Sequence, residues 1–254
     1  MILNKFKPII AQCYQGQQKL GVNIGGNYLY DKIFYNKVAN SPIIINEKLF
    51  NTSDGYNQLY QQCLLNDFTL VLGGDHSIAT SSVLASVNKY KNLSVIWIDA
   101  HADINTITES KTKNRHGTPL ASCVGLENVW FNNNIATKLD TNKLYYVGIR
   151  DLDIFEQNII SKYNISIFNT NQMIDYINNT NDKIHISFDV DALDPSILDS
   201  TGTTAINGLN TIQVKSIISK TLELNKLIGL DIVEFNPILG NCNKSINAIN
   251  EIFS

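Results

Sequence analysis

The segment VIWIDAHAD, residues 95–103, joins an apolar run directly to alternating acidic and histidine residues. Such a run is typical of a strand that is covered on both faces of a parallel sheet. Because successive side chains of an extended chain point to opposite faces, Asp99, His101 and Asp103 would share one face where the strand ends. Carboxylates packed this closely resist burial unless a cation lies among them. The segment therefore predicts a buried strand that ends at a metal site.

Two other segments have the same construction, LVLGGDHS at residues 70–77 and HISFDVDALDP at residues 185–195. Together the three segments supply two imidazoles and four carboxylates: His76, Asp99, His101, Asp103, Asp189 and Asp191. This oxygen-rich set favours Mn²⁺, with Zn²⁺, Co²⁺ or Fe²⁺ as weaker candidates. Two divalent cations would cancel the four negative charges, and a water between them would ionise near neutral pH. The spacing is not unique, since other two-metal hydrolases also use Asp-x-His.

Neighbouring ionisable residues have simpler interpretations. Asp75 directly precedes His76 and should point to the opposite face, so we expect it to cap a helix or support a ligand rather than bind metal. Asp194, which precedes Pro195, is typical of a turn. His185 lies within an apolar strand, where we expect a neutral, hydrogen-bonded imidazole.

Eight short apolar runs organise the whole chain, and stretches with helical spacing separate them. The runs are Pro8–Cys13, Pro42–Ile45, Phe68–Leu72, Leu93–Ile98, Leu144–Ile149, Ile165–Phe168, Ile184–Phe188 and Leu227–Val233. This alternation predicts right-handed crossovers and a doubly wound parallel sheet in one domain over residues 1–254. The clearest helix is expected over Thr211–Leu224, with Asn210 and Gln213 as its capping box, and a second one over Ser77–Tyr90. Such sheets bind ligands beyond the carboxyl ends of their strands, where the three polar segments lie.

Composition excludes several classes of protein. The chain has 254 residues, of which 44% are hydrophobic and 17% charged, with a net charge of −3 and a pI near 5.8. This balance gives no electrostatic basis for binding nucleic acid or an anionic membrane. Four dispersed cysteines favour reduced thiols, and neither a signal peptide nor a membrane span is apparent in the sequence. We therefore expect a cytoplasmic protein that acts on a small molecule.

Five motifs in order, GGDHS, DAHADINT, HG, SFDVDALDP and GLDIVEFNP, resemble the ureohydrolase family, and specifically its arginases, over roughly nine tenths of the chain. The resemblance implies a three-layer αβα fold around an eight-stranded parallel sheet, with two Mn²⁺ ions per subunit. One ion would be held by His76, Asp99, Asp103 and Asp189. The other would be held by His101, Asp99, Asp189 and Asp191, so that Asp99 and Asp189 bridge the two ions.

The same resemblance assigns residues to a reaction. His116 matches the family's proton shuttle and Glu234 the carboxylate that holds a substrate guanidinium, and Asp103 stands with them as a catalytic residue. The positions that match contacts to a substrate α-carboxylate are Asn105, Ser110, Thr112 and Asn114. The positions that match contacts to an α-ammonium group are Asp151, Asp153 and Glu156, with Thr203 near the substrate side chain. Simpler interpretations stay open: a loop histidine, a surface acid at a strand end, and a charged helix start.

These matches imply an arginase. A metal-bridging hydroxide would attack the guanidinium carbon of L-arginine and yield L-ornithine and urea. The run from Asp103 to His116 favours arginine over agmatine, because agmatine has no carboxylate for this loop to hold. The alternatives are an amidinohydrolase for agmatine or another guanidino compound, and a catalytically silent arginase-like protein that binds metal.

Three features depart from the family pattern. Lys113 stands where arginases usually have glycine, and it would be strained if the position needs a positive φ. Lys111 and Arg115 make the same loop more basic, which could change access or affinity. The chain also ends soon after GLDIVEFNP, whereas many arginases continue and use this tail to form trimers. The short tail therefore leaves open whether the protein forms a homo-oligomer and whether that oligomer is a trimer.

Overall fold

The computed structural model describes residues 3–17, 19–132 and 134–254. The strands are β1 Lys7–Ala11, β2 Ile43–Ile45, β3 Thr69–Leu72, β4 Leu93–Ile98, β5 Leu144–Val147, β6 Ser166–Ile167, β7 Lys183–Asp189 and β8 Leu227–Val233. The helices are α1 Val22–Leu29, α2 Glu47–Phe50, α3 Asp54–Leu65, α4 Ala79–Lys89, α5 Pro119–Val124, α6 Ile154–Lys162, α7 Thr170–Asn179, α8 Thr211–Glu223 and α9 Cys242–Ile252. Each predicted apolar run coincides with one strand to within two residues at either end.

The eight strands form one sheet in the order β2-β1-β3-β8-β7-β4-β5-β6, and every neighbouring pair is parallel. Residues of α1, α7, α8 and α9 pack in the hydrophobic core on one face. Residues of α2 to α6 pack in the core on the other face. The predicted three-layer αβα fold with an eight-stranded parallel sheet is confirmed. Among the described residues, no helix has the length and apolar character to cross a membrane.

Side-chain alternation along the central strands decides which face carries the polar residues. Ile96 and Ile98 of β4 belong to the core beneath α7 and α8, whereas Val95 and Trp97 belong to the core beneath α3 and α4. Continuing this alternation by two residues from Trp97 gives Asp99. The polar residues that follow these strands therefore lie on the side of the sheet that α4 covers.

Both predicted helices are present, and their ends lie within two residues of the expected ones. Asn210 accepts a hydrogen bond from the backbone N–H of Gln213 at 3.0 Å, and the Gln213 side chain returns one to the Asn210 backbone, which completes a capping box. At the second helix, a 3₁₀ turn over His76–Ile78 leads into α4, and Asp75 caps it by accepting from the Ser77 backbone N–H at 3.0 Å. The Asp75 cap thus fixes the point after β3 at which the helical turn that carries His76 begins.

His185 and Asp194 are occupied by structural contacts. The buried ring of His185 lies 2.8 Å from Ser86 Oγ and 3.0 Å from Asp231 Oδ2. Asp194 accepts hydrogen bonds from the backbone N–H groups of Ser196 and Gly208, both at 3.0 Å, as a turn residue does. The expectation that His185 is a hydrogen-bonded strand residue and Asp194 a turn residue is confirmed.

Strand order brings distant segments of the chain together. In the order β3-β8-β7-β4, the four strands that precede the polar segments are direct neighbours. Because all of them are parallel, their carboxyl ends meet at one edge of the sheet, where α/β proteins bind ligands. His76 follows β3, Asp99 follows β4, Asp191 follows β7 and Glu234 follows β8, so one edge collects the candidate site.

Candidate functional site

The His76 imidazole is the centre of the first cluster. Its Nδ1 atom lies 3.0 Å from Asp103 Oδ2, 3.1 Å from Asp99 Oδ2 and 3.3 Å from Asp189 Oδ2. The ring is buried, and Nδ1 has no hydrogen bond of good geometry within the described part of the chain. A buried nitrogen that faces three carboxylate oxygens is suited to coordinate a cation together with them.

The His101 imidazole is the centre of a second cluster. Its Nδ1 atom lies 3.1 Å from Asp191 Oδ2 and 3.5 Å from Asp99 Oδ1. Asp99 therefore turns one carboxylate oxygen towards each histidine. The ligand atoms of His76, Asp99 and Asp103 lie within 4.8 Å of one another, and so do those of Asp99, His101 and Asp191. The two sets share Asp99, which is the arrangement that a pair of bridged metal ions requires.

Backbone N–H groups hold the carboxylates in place. Asp99 Oδ1 accepts from the backbone N–H of His101 at 2.7 Å, and Asp189 Oδ1 accepts from that of Asp191 at 2.8 Å. The Ala100 N–H donates to Asp191 Oδ1 at 3.2 Å. Asp99, Asp189 and Asp191 thus each keep a second oxygen directed at the histidines. The turns that follow β4 and β7 supply the hydrogen bonds that orient these carboxylates.

The pKa values of the clustered side chains indicate that both clusters favour positive charge. Burial alone would lower the pKa of His76, but the three carboxylates around Nδ1 raise it well above its ordinary value. The same competition raises the pKa of His101 to about 12. Burial, together with neighbouring negative charge, raises the pKa of Asp189 well above its ordinary range and that of Asp191 to about 6. The donor set therefore fits cations: four carboxylates and two imidazoles would be neutralised by two divalent ions.

Two residues that sequence reasoning missed support His76. Ser187 Oγ lies 2.9 Å from His76 Nε2, which orients the ring so that Nδ1 faces the carboxylates. Trp97 stacks on the same ring at 4.1 Å and donates its Nε1–H to Asp99 Oδ2 at 2.9 Å. Both residues lie two positions before an aspartate ligand, so the period of two along β4 and β7 could have found them.

A cavity of about 270 Å³ opens above the clusters. Its floor contains His101, Asp103, Asp189 and Asp191, and its wall contains Asn105, Ser110, Lys111, Thr112, His116, Asp153, Glu156 and Thr203. Most of the predicted substrate-contacting residues therefore surround one space. Thr203 also donates to Asp191 Oδ2 at 3.1 Å, which joins the wall to the floor.

Three predicted substrate residues, Asn114, Asp151 and Glu234, lie outside this wall. Asn114 lines a neighbouring cavity with Lys113, Arg115 and Trp130, on the other side of the loop. The Asp151 side chain is 70% exposed, and its Oδ2 lies 3.8 Å from His101 Nε2. The structure thus brings Ser110 and Thr112, but not Asn114, to the candidate substrate cavity.

The loop before His116 is held by its own hydrogen bonds. Ser110 Oγ accepts from the Lys113 backbone N–H at 3.1 Å, and Thr112 Oγ1 accepts from the Asn114 backbone N–H at 3.2 Å. Lys113 has a φ of 60°, the left-handed conformation that glycine adopts without strain. Its Nζ donates to the Thr108 carbonyl at 2.5 Å, which ties the strained residue back to the loop.

Asp153 and Glu156 serve the helix and the cavity together. Asp153 accepts from the Glu156 backbone N–H at 2.9 Å and Glu156 accepts from the Asp153 N–H at 3.1 Å, which forms the capping box of α6. Asn105 Nδ2 donates to Asp153 Oδ2, while Asn105 Oδ1 is buried and has no partner within the described part of the chain. Burial raises the pKa of Glu156 to about 7. Asp153 and Glu156 therefore both cap helix α6 and contribute polar groups to the cavity wall.

Glu234 is a buried acid, not a surface one. It has a φ of 66° and is 2% exposed. Its Oε1 accepts from the His76 backbone N–H at 2.8 Å and lies 3.3 Å from His116 Nδ1, and Gln17 Nε2 donates to its Oε2. Burial would raise the pKa of Glu234, but the neighbouring His116 lowers it, so the group stays ionised. Glu234 in turn raises the pKa of His116 to about 9, against the effect of burial.

Known proteins share this arrangement of fold and sequence. A model of the arginase family matches residues 21–254. The chain is 34% identical over 237 residues to the arginase of Plasmodium berghei, which covers 84% of this chain and 64% of that protein. The crystal structure of Entamoeba histolytica arginase in complex with L-ornithine matches with a TM-score of 0.86 at 29% identity, covering 100% of this chain and 99% of that chain.

The relatives differ in length. The arginase of Plasmodium falciparum is 33% identical and matches 96% of this chain, but only 63% of its own length is covered. The chain thus spans less than two thirds of these two Plasmodium proteins, whereas it covers nearly all of the Entamoeba chain.

Asp191→Asn should weaken the His101 cluster and leave the His76 cluster intact, because Asp191 contacts only the former. We expect about two Mn²⁺ ions per chain in the wild type and about one in the variant, measured by elemental analysis after dialysis. Asp175→Asn is the matched control, since this exposed residue of α7 belongs to neither cluster. Two ions retained by Asp191→Asn would contradict the assignment.

Metal binding should release protons and weaken as the pH falls. His76 and His101 have raised pKa values in this carboxylate environment, so both carry protons at neutral pH that a divalent ion must displace. We expect a net release of protons at pH 7.5, followed with an indicator dye in weak buffer during Mn²⁺ titration. Proton-neutral binding would show that the imidazoles are already deprotonated.

Proposed function

The chain belongs to the arginase family, and from this premise we propose that it hydrolyses the guanidinium group of L-arginine to L-ornithine and urea at a pair of Mn²⁺ ions. One observation carries the proposal. Two clusters suited to metal ions share Asp99, and residues of both clusters lie at the floor of one cavity. The wall of this cavity combines the imidazole of His116, which pairs with Glu234, with hydroxyl and amide groups. We propose that residues 1–254 act as one ureohydrolase domain.

The ligand set supports manganese. His76, Asp99, Asp103 and Asp189 surround the first position, and His101 with Asp99 and Asp191 surrounds the second. Four carboxylates and two imidazoles form a hard donor set that suits Mn²⁺ better than thiophilic metals. When bound, two such ions would lower the pKa of a water molecule and supply a nucleophile near neutral pH.

The residues around Glu234 support recognition of a guanidinium group. Its carboxylate is buried and ionised, and a planar cation that donates two parallel hydrogen bonds is the natural partner of such an acid. The reaction adds a water oxygen to the guanidinium carbon and breaks the bond from this carbon to the side-chain nitrogen. That nitrogen must gain a proton to leave as the ornithine amine.

His116 is suited to supply this proton. Its ring lines the cavity, is 21% exposed and lies against Glu234, which keeps it protonated at neutral pH. A partly exposed imidazole can deliver a proton to the leaving amine and recover one from solvent. These properties favour His116 as the proton donor over a loop histidine without a catalytic role.

The wall of the cavity supports an α-amino acid as the substrate. Ser110, Thr112 and Asn105 offer polar groups near Lys111, and Asp153 and Glu156 offer carboxylates on the same wall. An α-carboxylate and an α-ammonium group would find partners of opposite polarity there. Agmatine has no carboxylate to use the first set.

We place the activity in the cytoplasm. All four cysteines, Cys13, Cys63, Cys123 and Cys242, are free thiols, and three of them are buried. Free thiols are typical of a reducing compartment.

Urea release should be detected from L-arginine and be much weaker from agmatine, measured after Mn²⁺ loading with both compounds offered side by side. Lys111→Gln should raise the KM for arginine about three-fold and leave that for agmatine unchanged, because only arginine has a carboxylate to pair with the lysine. Lys91→Gln, the same charge change at the amino end of β4, is the control. Urea from agmatine alone would indicate an agmatinase, and urea from neither would favour a silent homologue.

His116→Asn should lower kcat by roughly 100-fold, because the leaving amine loses its proton donor. Metal content should equal that of the wild type, since His116 lies in neither cluster. Steady-state urea release from arginine and elemental analysis of the same samples check both points. An undiminished kcat would contradict the assignment of His116 as the proton donor and would favour a loop histidine without a catalytic role.

A further inference from the structure

Gln17 is a buried amide that contacts Glu234 from the opposite end of the chain. It lies in the loop after β1, is 6% exposed, and donates its Nε2–H to Glu234 Oε2. The other carboxylate oxygen, Oε1, is already engaged by the His76 backbone N–H and by His116. Gln17 is thus the side chain that holds Oε2.

The loop that carries Gln17 is fixed on both sides. The Gly16 backbone N–H donates to Asp75 Oδ2 at 2.8 Å, and the Gly16 carbonyl accepts from the His116 backbone N–H at 3.2 Å. A Cβ atom on residue 16 would overlap Asp75, so the close approach requires glycine. Asp75 is itself held by Ser77. The position of Gln17 is therefore set by the same segments that carry His76 and His116.

The orientation of the Gln17 amide follows from its charge partner. The opposite orientation would place its carbonyl oxygen against the Glu234 carboxylate and repel it. In the observed orientation, Oε1 is buried and has no hydrogen-bond partner among the residues that the structure describes, and a Cβ atom on Gly202 would lie 2.5 Å from it. An unpaired buried carbonyl costs free energy, so the contact with Glu234 is maintained at some expense to stability.

We propose that Gln17 is a positioning residue that aims the Glu234 carboxylate at the substrate guanidinium. Gln17 acts through Glu234, which it contacts directly and which in turn contacts His116 on the cavity wall. Its N–H fixes the plane of the carboxylate, which a planar guanidinium must match to donate two hydrogen bonds. The inference rests on the proposed function, because it assigns Glu234 to the guanidinium end of the substrate.

Gln17→Met keeps the length of the side chain and removes its donor. We expect the KM for arginine to rise roughly ten-fold, the value of one hydrogen bond to a charged group. The inhibition constant of L-ornithine should stay within two-fold of wild type, because ornithine has no guanidinium. Gln15→Met is the matched control: Gln15 lies in the same loop, but its amide donates to Asn51.

Gly202→Ala tests the same contact without changing Gln17. The added Cβ would push against Gln17 Oε1 and displace the amide, so the arginine KM should again rise while ornithine inhibition does not. Metal content is measured for every variant. Equal losses for arginine and ornithine, or a loss of metal, would make Gln17 a purely structural residue and overturn the proposal, as would an unchanged arginine KM.

Calorimetry separates failure of this inference from failure of the proposed function. If the wild type releases no urea from arginine, the proposed function fails, and binding of agmatine is then compared with binding of putrescine, its counterpart without the guanidinium. A loss in Gln17→Met that is confined to agmatine supports the positioning role. Any other result, including equal binding to wild type and variant, overturns it.

Discussion

Burial of four carboxylates at one edge of the sheet is the constraint on which the rest of this structure depends. Asp99, Asp103, Asp189 and Asp191 are all buried, and their mutual repulsion must be offset by positive charge. The fold meets this need by making β3, β8, β7 and β4 neighbours, so that two imidazoles enter the same space. Backbone N–H groups of the turns after β4 and β7 hold the carboxylates but carry no net charge. Hydrogen bonds therefore supply geometry, whereas only cations can supply neutrality.

The same constraint explains how the surroundings are organised. The ring of His76 has one nitrogen held by Ser187 and one face covered by Trp97, so Nδ1 is the nitrogen directed at the carboxylates. Glu234 carries a further buried negative charge beside the clusters, and here the compensation comes from donors: the His76 N–H, His116 and Gln17. The protein thus compensates the two groups of buried negative charge differently, with imidazoles at the clusters and with backbone and amide donors and His116 at Glu234.

Much of the fold could be predicted because the sequence repeats one simple pattern. Most strands coincide with apolar runs, and in β4 and β7 a polar period of two begins where the run ends, which identified the strands and placed Asp99 and Asp191 on the same face. Contacts between distant segments leave no such pattern. Gln17 meets Glu234 across 217 positions, and no local spacing near Gln17 indicates it. Likewise, the turn at Lys113 sends Asn114 to the opposite side of the loop, which a linear match of motifs cannot reveal.

The loop from Ser110 to Arg115 shows how a departure from the family pattern can be accommodated. A left-handed lysine costs about 1 kcal/mol relative to glycine. Here the side chain of Lys113 donates to the Thr108 carbonyl, a contact that glycine could not make and that offsets part of this strain. The turn also leaves Lys111 beside Ser110 and Thr112 at the cavity, while Arg115 stacks on Trp130 outside it. The cavity thus has carboxylates at its floor and a cation on its wall. Because Asp153 and Glu156 on the same wall could also accept a second cationic end, Lys111 is the group that favours a substrate with a carboxylate.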